Sequence, residues 1–211
     1  MSRKFQSGKF IKGFAGIAAM VCGLAMMAGQ ANATNIEKAS MSVMRQVSPP
    51  IGWVQFCRDY SEYCNVETLS PEELVLNEHN WKQLLAINAA VNSEIEPVTD
   101  MDHWGVPERW DIPTDGKGDC EDYVLEKRRR LLLAGWPRQD LLVTVVRDKS
   151  GDGHAVLTVK TDRGDLILDN QEAKVLLWGE TGYKFIKRQS EENPNRWVGL
   201  GNIDTQLFTA R

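Results

Sequence analysis

The stretch GDCEDYVLEKRRRLLLAGWP, residues 118–137, separates a first half of the chain with helical patterns from a second half with alternating apolar residues. This stretch begins with acidic residues and ends with a Gly and a Pro, which predicts a helix over residues 123–134. Residues 118–122 lead into that helix. Cys120 then lies at or just inside the helix N-terminus, where backbone N–H groups and the helix dipole stabilise a thiolate. Such a residue is a candidate nucleophile, although a cysteine in this position is more often a small buried side chain.

The pattern on either side of this helix indicates the fold class. Apolar residues recur at helical spacing before it and predict a helix over 79–95, and Ser70–Glu73 resembles a further helix start. After it the period changes to two, which predicts a succession of strands over residues 141–146, 154–160 and 165–169. Helices followed by an antiparallel sheet define an α+β domain.

Two segments show no periodic pattern. Residues 34–50 are polar and are expected to form a mobile lead-in or an edge segment. Residues 97–119 are rich in Trp, Pro, Gly and Asp and predict a long loop of the kind that is often functional.

The N-terminus has the three parts of a secretory signal peptide. A basic start is followed by an apolar run of about 14 residues and then by Ala31-Asn32-Ala33, a small-residue cleavage site. The alternative is an uncleaved membrane anchor, but a spanning helix needs about 20 apolar residues. We therefore expect residues 1–33 to be removed, leaving one domain over 34–211 in the periplasm with no membrane insertion.

Charge excludes one class of partner. Residues 1–33 hold four of the 25 Lys and Arg and none of the 29 Asp and Glu, so residues 34–211 carry a net charge of −8. An acidic exported domain is a poor candidate for binding nucleic acid or anionic lipid.

Three cysteines remain after the predicted cleavage. Cys57 and Cys64 are seven positions apart and predict a disulfide that closes a small loop in an oxidising compartment. The alternatives are two free thiols or a metal pair that lacks its other ligands. Cys120 would then be the unpaired cysteine of an exported protein, which calls for an explanation.

A histidine and an aspartate are predicted to meet across a hairpin. With the turn near Asp162-Arg163, His154 lies eight positions before it and Asp169 six after it, so the two are cross-strand neighbours within one or two residues. The carboxylate could orient the imidazole, which would serve Cys120 in acyl transfer. Asn170 is a rival orienting group, and a histidine beside a hairpin is more often simply hydrogen-bonded.

Three carboxylates surround Cys120 in sequence. Asp119, Glu121 and Asp122 would oppose ionisation of the thiol by like-charge repulsion. Calcium takes such oxygen ligands and would relieve the repulsion. The alternative is ordinary acidic stabilisation of a helix start.

Three motifs together resemble a known family, the bacterial transglutaminase-like cysteine proteinases. They are residues 118–123 (GDCEDY), 153–157 (GHAVL) and 168–170 (LDN). The resemblance implies a papain-like, transglutaminase-like core of N-terminal helices packed on an antiparallel sheet. It also implies the roles of the site residues: Cys120 as nucleophile, His154 as base, Asp169 as orienting acid, and calcium held by Asp119, Glu121 and Asp122.

The resemblance also implies a biological setting. In one group of family members the protein substrate is a large surface adhesin whose cleavage disperses biofilm, and the periplasmic domain of a cyclic di-GMP receptor sequesters the protease. The chain is therefore expected to be a calcium-dependent cysteine endopeptidase. Two alternatives stay open: a transglutaminase or amidase, and a non-catalytic, calcium-stabilised binding module.

Overall fold

Seven strands form one sheet in the computed structural model, which describes residues 40–71 and 74–201. The sheet has the order β1-β9-β8-β4-β5-β6-β7, and its neighbouring strands are antiparallel. The strands are β1 (Val43–Val47), β4 (Leu141–Arg147), β5 (Gly153–Thr161), β6 (Gly164–Leu168), β7 (Leu176–Leu177), β8 (Lys184–Gln189) and β9 (Trp197–Leu200). The predicted signal peptide, residues 1–33, lies outside the described residues.

Four α-helices precede or flank this sheet, together with a small parallel pair of strands. The helices are α1 (Ile51–Asp59), α2 (Glu78–Glu94), α3 (Asp100–Trp104) and α4 (Cys120–Leu133), and the parallel pair is β2 (Glu96–Pro97) with β3 (Lys117–Gly118). Helices at the N-terminal side of an antiparallel sheet confirm the predicted α+β class. Within the described ranges, none of the helices has the length and apolar character needed to cross a bilayer.

The three predicted strands form β4, β5 and β6. Leu141 pairs with Val159 and Arg147 with Gly153 across the first hairpin, and Leu157 pairs with Leu168 across the second. The apolar residues alternate along these strands because the two sides of the sheet pack against different partners. Helix α4 packs on β5, and their contact forms the centre of the main hydrophobic core, with Val124, Leu125, Leu131, Ala155, Leu157 and Val159.

The N-terminal region differs from the prediction in two places. The segment around the predicted disulfide contains helix α1, which Pro50 precedes without a side-chain cap, so the sequence carried little sign of its start. Trp53 and Phe56 lie one turn apart on this helix, and both side chains are buried in the hydrophobic core. The helix start predicted at Ser70–Glu73 includes residues 72 and 73, which lie outside the described residues, and residues 74–77 are not helical. Instead, the Asn77 side chain caps α2 by accepting from the Asn80 N–H at 2.9 Å.

The predicted long loop is folded back on itself. Strand β2 pairs with β3, so that Glu96 lies beside Lys117 at the two ends of the loop. Helix α3 lies inside the loop, and Thr99 caps it by accepting from the Asp102 N–H at 3.2 Å. This closure brings the start of α3 to the start of α4.

Cys57 and Cys64 form a disulfide in this structure. The Asn195 side chain links the loop that they close to the far end of the chain, because its amide donates to the Cys64 carbonyl at 2.9 Å. Its oxygen accepts from the Trp53 indole N–H at 3.3 Å.

Candidate active site

Cys120 is the first residue of α4 and the one unpaired cysteine in the described ranges. The N–H of the preceding residue, Asp119, donates to the Asp122 side chain at 3.4 Å, and this hydrogen bond stabilises the first turn of α4. The Cys120 thiol donates to Glu121 Oε2 at 3.1 Å. Burial, followed by the negative charge of Glu121, raises the pKa of this thiol well above its ordinary value, while a hydrogen bond from the Ala155 N–H acts in the opposite direction.

His154 and Asp169 form a buried pair. His154 is the second residue of β5, Asp169 follows the last residue of β6, and the two side chains are only 1% and 2% exposed. His154 Nε2 lies 2.8 Å from Asp169 Oδ1. Because Leu157 pairs with Leu168, His154 stands diagonally across from Asp169, two residues out of direct register, as the hairpin argument allows.

Asp169 is held as a carboxylate by several donors. Burial raises its pKa, but hydrogen bonds from His154, from the Tyr183 hydroxyl and from the Gln171 N–H lower it by more, so the pKa lies below its ordinary value. An ionised Asp169 accepts a hydrogen bond from the N–H at His154 Nε2, which leaves Nδ1 as the acceptor nitrogen of the neutral ring. The Gln171 side-chain amide lies 3.5 Å from that Nδ1 atom. The ring is therefore oriented as a base whose acceptor nitrogen is Nδ1.

Among the described residues, the imidazole of His154 is hydrogen-bonded to Asp169 and Gln171 and not to Asn170, the rival orienting residue. The Asn170 side-chain oxygen is buried and has no hydrogen-bond partner among the described residues. The carboxylate that contacts His154 is Asp169.

Cys120 and His154 line the same cleft. The cleft has a volume of about 320 Å³, and Glu108 and Trp110 of the long loop form another part of its wall. A neighbouring cleft of about 700 Å³ shares Glu108 and Trp110 with it.

An acidic cluster lies beside Cys120, and one of its members was missed in the sequence. Carboxylate oxygens of Asp100, Asp119 and Asp122 lie within 4.8 Å of one another. The Asp100 N–H donates to Asp119 Oδ2 at 3.3 Å, and Asp119 Oδ1 is buried with no hydrogen-bond partner among the described residues. Asp100 stands 19 positions before Asp119, inside the aperiodic loop, so spacing carried no signal for it.

Burial and repulsion from neighbouring carboxylates shift two members of the cluster, Asp100 and Asp122, towards protonation. Burial first, and then the charges of Asp119 and Asp100, raise the pKa of Asp122 to about 8, although hydrogen bonds from the Asp111 and Asp119 N–H groups oppose the rise. Two buried carboxylates and a half-buried one, with an oxygen of Asp119 that has no partner among the described residues, are a donor set that fits a hard divalent cation.

Glu121, which was predicted as a third ligand beside Asp119 and Asp122, belongs to a different group. Its carboxylate lies with Asp119 and the Cys120 sulfur, on the thiol side of the cluster. Burial and the charge of Asp119 raise its pKa to about 9.

A cysteine at a helix N-terminus that shares a cleft with a strand-borne His–Asp pair is the arrangement of cysteine hydrolases on transglutaminase-like folds. The family model described as "Bacterial transglutaminase-like cysteine proteinase BTLCP" matches residues 43–205, and the chain belongs to this family. The chain is therefore a cysteine peptidase, as the three motifs predicted.

Solved structures of LapG from Legionella pneumophila are similar to this chain. The EGTA-treated form is 25% identical, with a TM-score of 0.48, and the match covers 59% of this chain and 73% of that one. The calcium-bound form is 24% identical, with a TM-score of 0.49, and the match covers 62% and 80%. No protein in a search of curated sequences matches this chain.

Proposed function

We propose that the chain is an endopeptidase in which Cys120 is the nucleophile, His154 the base and Asp169 the orienting acid. The observation that carries this proposal is the buried His154–Asp169 pair, with 2.8 Å between Nε2 and Oδ1, at the wall of the cleft that also holds Cys120. The family membership supports a protein substrate.

The reaction follows from the protonation states of these groups. His154 Nδ1 accepts the Cys120 proton, and the sulfur attacks the scissile carbonyl carbon to form a tetrahedral oxyanion. The oxyanion collapses to a thioester as the C–N bond breaks, and the imidazolium gives its proton to the leaving amine. Water deprotonated by His154 then attacks the thioester, which releases the acid product and restores the thiol.

Asp169 makes this cycle possible by fixing the ring. Its ionised carboxylate holds the proton on Nε2 and stabilises the imidazolium when Nδ1 is protonated. The Cys120 backbone N–H, at the first position of α4 where helical N–H groups have no intrahelical partner, is one donor for the oxyanion.

We further propose that calcium binds beside Cys120, through Asp100, Asp119 and Asp122, with Glu121 on the thiol side. Asp119 Oδ1, which is buried and has no hydrogen-bond partner within residues 40–71 and 74–201, and the raised pKa of Asp122 support a cation there. When bound, calcium supplies positive charge that offsets the carboxylates next to the thiol. The solved LapG structure in a calcium-bound form is consistent with this assignment.

The setting that we propose is the periplasm, after removal of residues 1–33, with a large surface adhesin as the substrate and a cyclic di-GMP receptor as the regulator. The three-part N-terminal pattern supports export. The resemblance of the three motifs to the bacterial transglutaminase-like cysteine proteinases is the basis for the proposed substrate and receptor.

The test incubates residues 34–211 with a periplasmic and outer-membrane extract and identifies new peptide termini by mass spectrometry. The wild type is expected to produce termini that Cys120→Ala does not, while Ser150→Ala, in an exposed turn, behaves as the wild type. Cleavage that survives in Cys120→Ala would rule out this nucleophile. Isopeptide crosslinks in place of new termini would assign the chain to the transglutaminase alternative.

A further inference from the structure

The second oxygen of Asp169 is held by a tyrosine. The Tyr183 hydroxyl donates to Asp169 Oδ2 at 2.6 Å, and among the described residues it is the only side chain that does so. Asp169 Oδ1 accepts from His154 Nε2 at 2.8 Å and from the Gln171 N–H at 3.0 Å. Both oxygens of this buried carboxylate therefore have donors, and the carboxylate plane is fixed.

The same tyrosine also packs on the imidazole. The rings of Tyr183 and His154 lie edge to face, with 5.8 Å between centroids and 85° between planes. Tyr183 precedes β8, so an element from another part of the sheet contacts both partners of the His–Asp pair. It is not among the residues that line the cleft beside Cys120.

We propose that Tyr183 is a positioning residue of the catalytic pair, which holds Asp169 ionised and aimed at His154 without contacting the substrate. The proposal rests on the proposed roles of His154 and Asp169. A buried carboxylate oxygen without its donor is strongly penalised, so the loss of the hydroxyl favours protonation or rotation of Asp169. Either change removes the acceptor that keeps the proton on His154 Nε2.

Other charged groups lie around the His154–Asp169 pair and contribute to its electrostatic environment. Lys127 of α4 acts electrostatically on Asp169, and the Lys149 ammonium lies 6.0 Å from the centre of the Tyr183 ring. Asp148 and Glu172 act on the Tyr183 hydroxyl, and Cys120 lines the cleft with His154. None of these is altered when only the phenol oxygen is removed.

The experiment compares the wild type with Tyr183→Phe, and uses Tyr63→Phe as the control that loses a hydroxyl outside the site. The primary measurement is the pH titration of the Asp169 carboxyl carbon by NMR of protein labelled at aspartate, which does not depend on a substrate. In Tyr183→Phe the midpoint is expected to rise by about one pH unit, because a donor to the charged form is lost. The control is expected to titrate as the wild type.

Kinetics on a peptide identified from the extract separate positioning from structure. Tyr183→Phe is expected to lower kcat by roughly tenfold or more. Its KM is expected to stay near the wild-type value, because Tyr183 does not line the cleft. A lower melting temperature with an unchanged Asp169 midpoint would overturn the proposal, since Tyr183 would then be structural only.

A second variant keeps the shape of the ring. Replacing Tyr183 by 3-fluorotyrosine gives a more acidic phenol and a stronger donor, so the Asp169 midpoint should move down, opposite to Tyr183→Phe. An unchanged midpoint in this variant would also overturn the proposal, even if Tyr183→Phe fails to fold. Cleavage that survives in Cys120→Ala would refute the proposed nucleophile instead, and would leave the titration result as it stands.

Discussion

His154 Nε2 and Asp169 Oδ1 lie 2.8 Å apart although the two residues are 15 positions apart in the chain. The register of the β5–β6 hairpin sets the two side chains on one face as diagonal neighbours. The site is thus built from one local hairpin and one helix start.

Asp169→Asn keeps the size of the side chain and removes its charge. The amide no longer selects the His154 tautomer with the proton on Nε2, so kcat should fall by roughly a hundredfold to ten-thousandfold with little change in KM. Steady-state kinetics on an identified peptide measure this. Asp152→Asn, a charge loss in an exposed turn, should behave as the wild type. A larger loss in Asn170→Ala than in Asp169→Asn would assign the orienting role to Asn170.

Asp100→Asn should weaken calcium binding although residue 100 lies far from Cys120 in sequence. Its carboxylate lies with those of Asp119 and Asp122, and an amide is a neutral and poorer ligand, so we expect Kd for calcium to rise roughly tenfold or more. Isothermal titration calorimetry of EGTA-treated protein measures Kd, and calcium should raise the melting temperature of the wild type. Asp102→Asn, an exposed acid in the same helix, is the control. Equal Kd values for the two variants would exclude Asp100 as a ligand.

Lys127→Met should stabilise the fold. The Lys127 side chain is fully buried, its amine has no hydrogen-bond partner among the described residues, and it lies 5.9 Å from the Tyr123 ring centre. Burial lowers its pKa to about 7, although the charge of Asp169 opposes this. Between pH 7 and the ordinary value of 10.5 the unfolded chain binds a proton that the folded chain does not. The free energy of unfolding should therefore rise with pH across that window, and below it the full penalty remains.

Replacement by Met removes the penalty, since a buried unpaired charge is costly and an apolar side chain of similar length is not. We expect Lys127→Met to be more stable than the wild type near pH 6, by about 2 kcal/mol or more, and to lose the rise between pH 7 and 10.5. Urea unfolding at several pH values measures both effects, with the exposed Lys184→Met as the control. A variant that is less stable than the wild type at pH 6 would show that the lysine charge is compensated in the fold.

The sequence predicted those elements that follow a periodic pattern or carry local end signals. The alternation over residues 141–169 predicted β4, β5 and β6 and the register that joins His154 to Asp169, because a hairpin between adjacent strands is set by local turn geometry. The end signals around residues 118–137 predicted helix α4. Helix α1 was missed because Pro50 provides no side-chain cap that would mark its start.

The sequence by itself determined the α+β class and the family, and it placed His154 and Asp169 as cross-strand neighbours within one or two residues while Asn170 stayed a rival. Only the tertiary structure brought Asp100 to Asp119 and Tyr183 to Asp169. Both contacts depend on how an aperiodic segment closes against distant elements. Packing and the burial of polar groups decide how such a segment closes. The spacing of residues along the chain carries no signal for either.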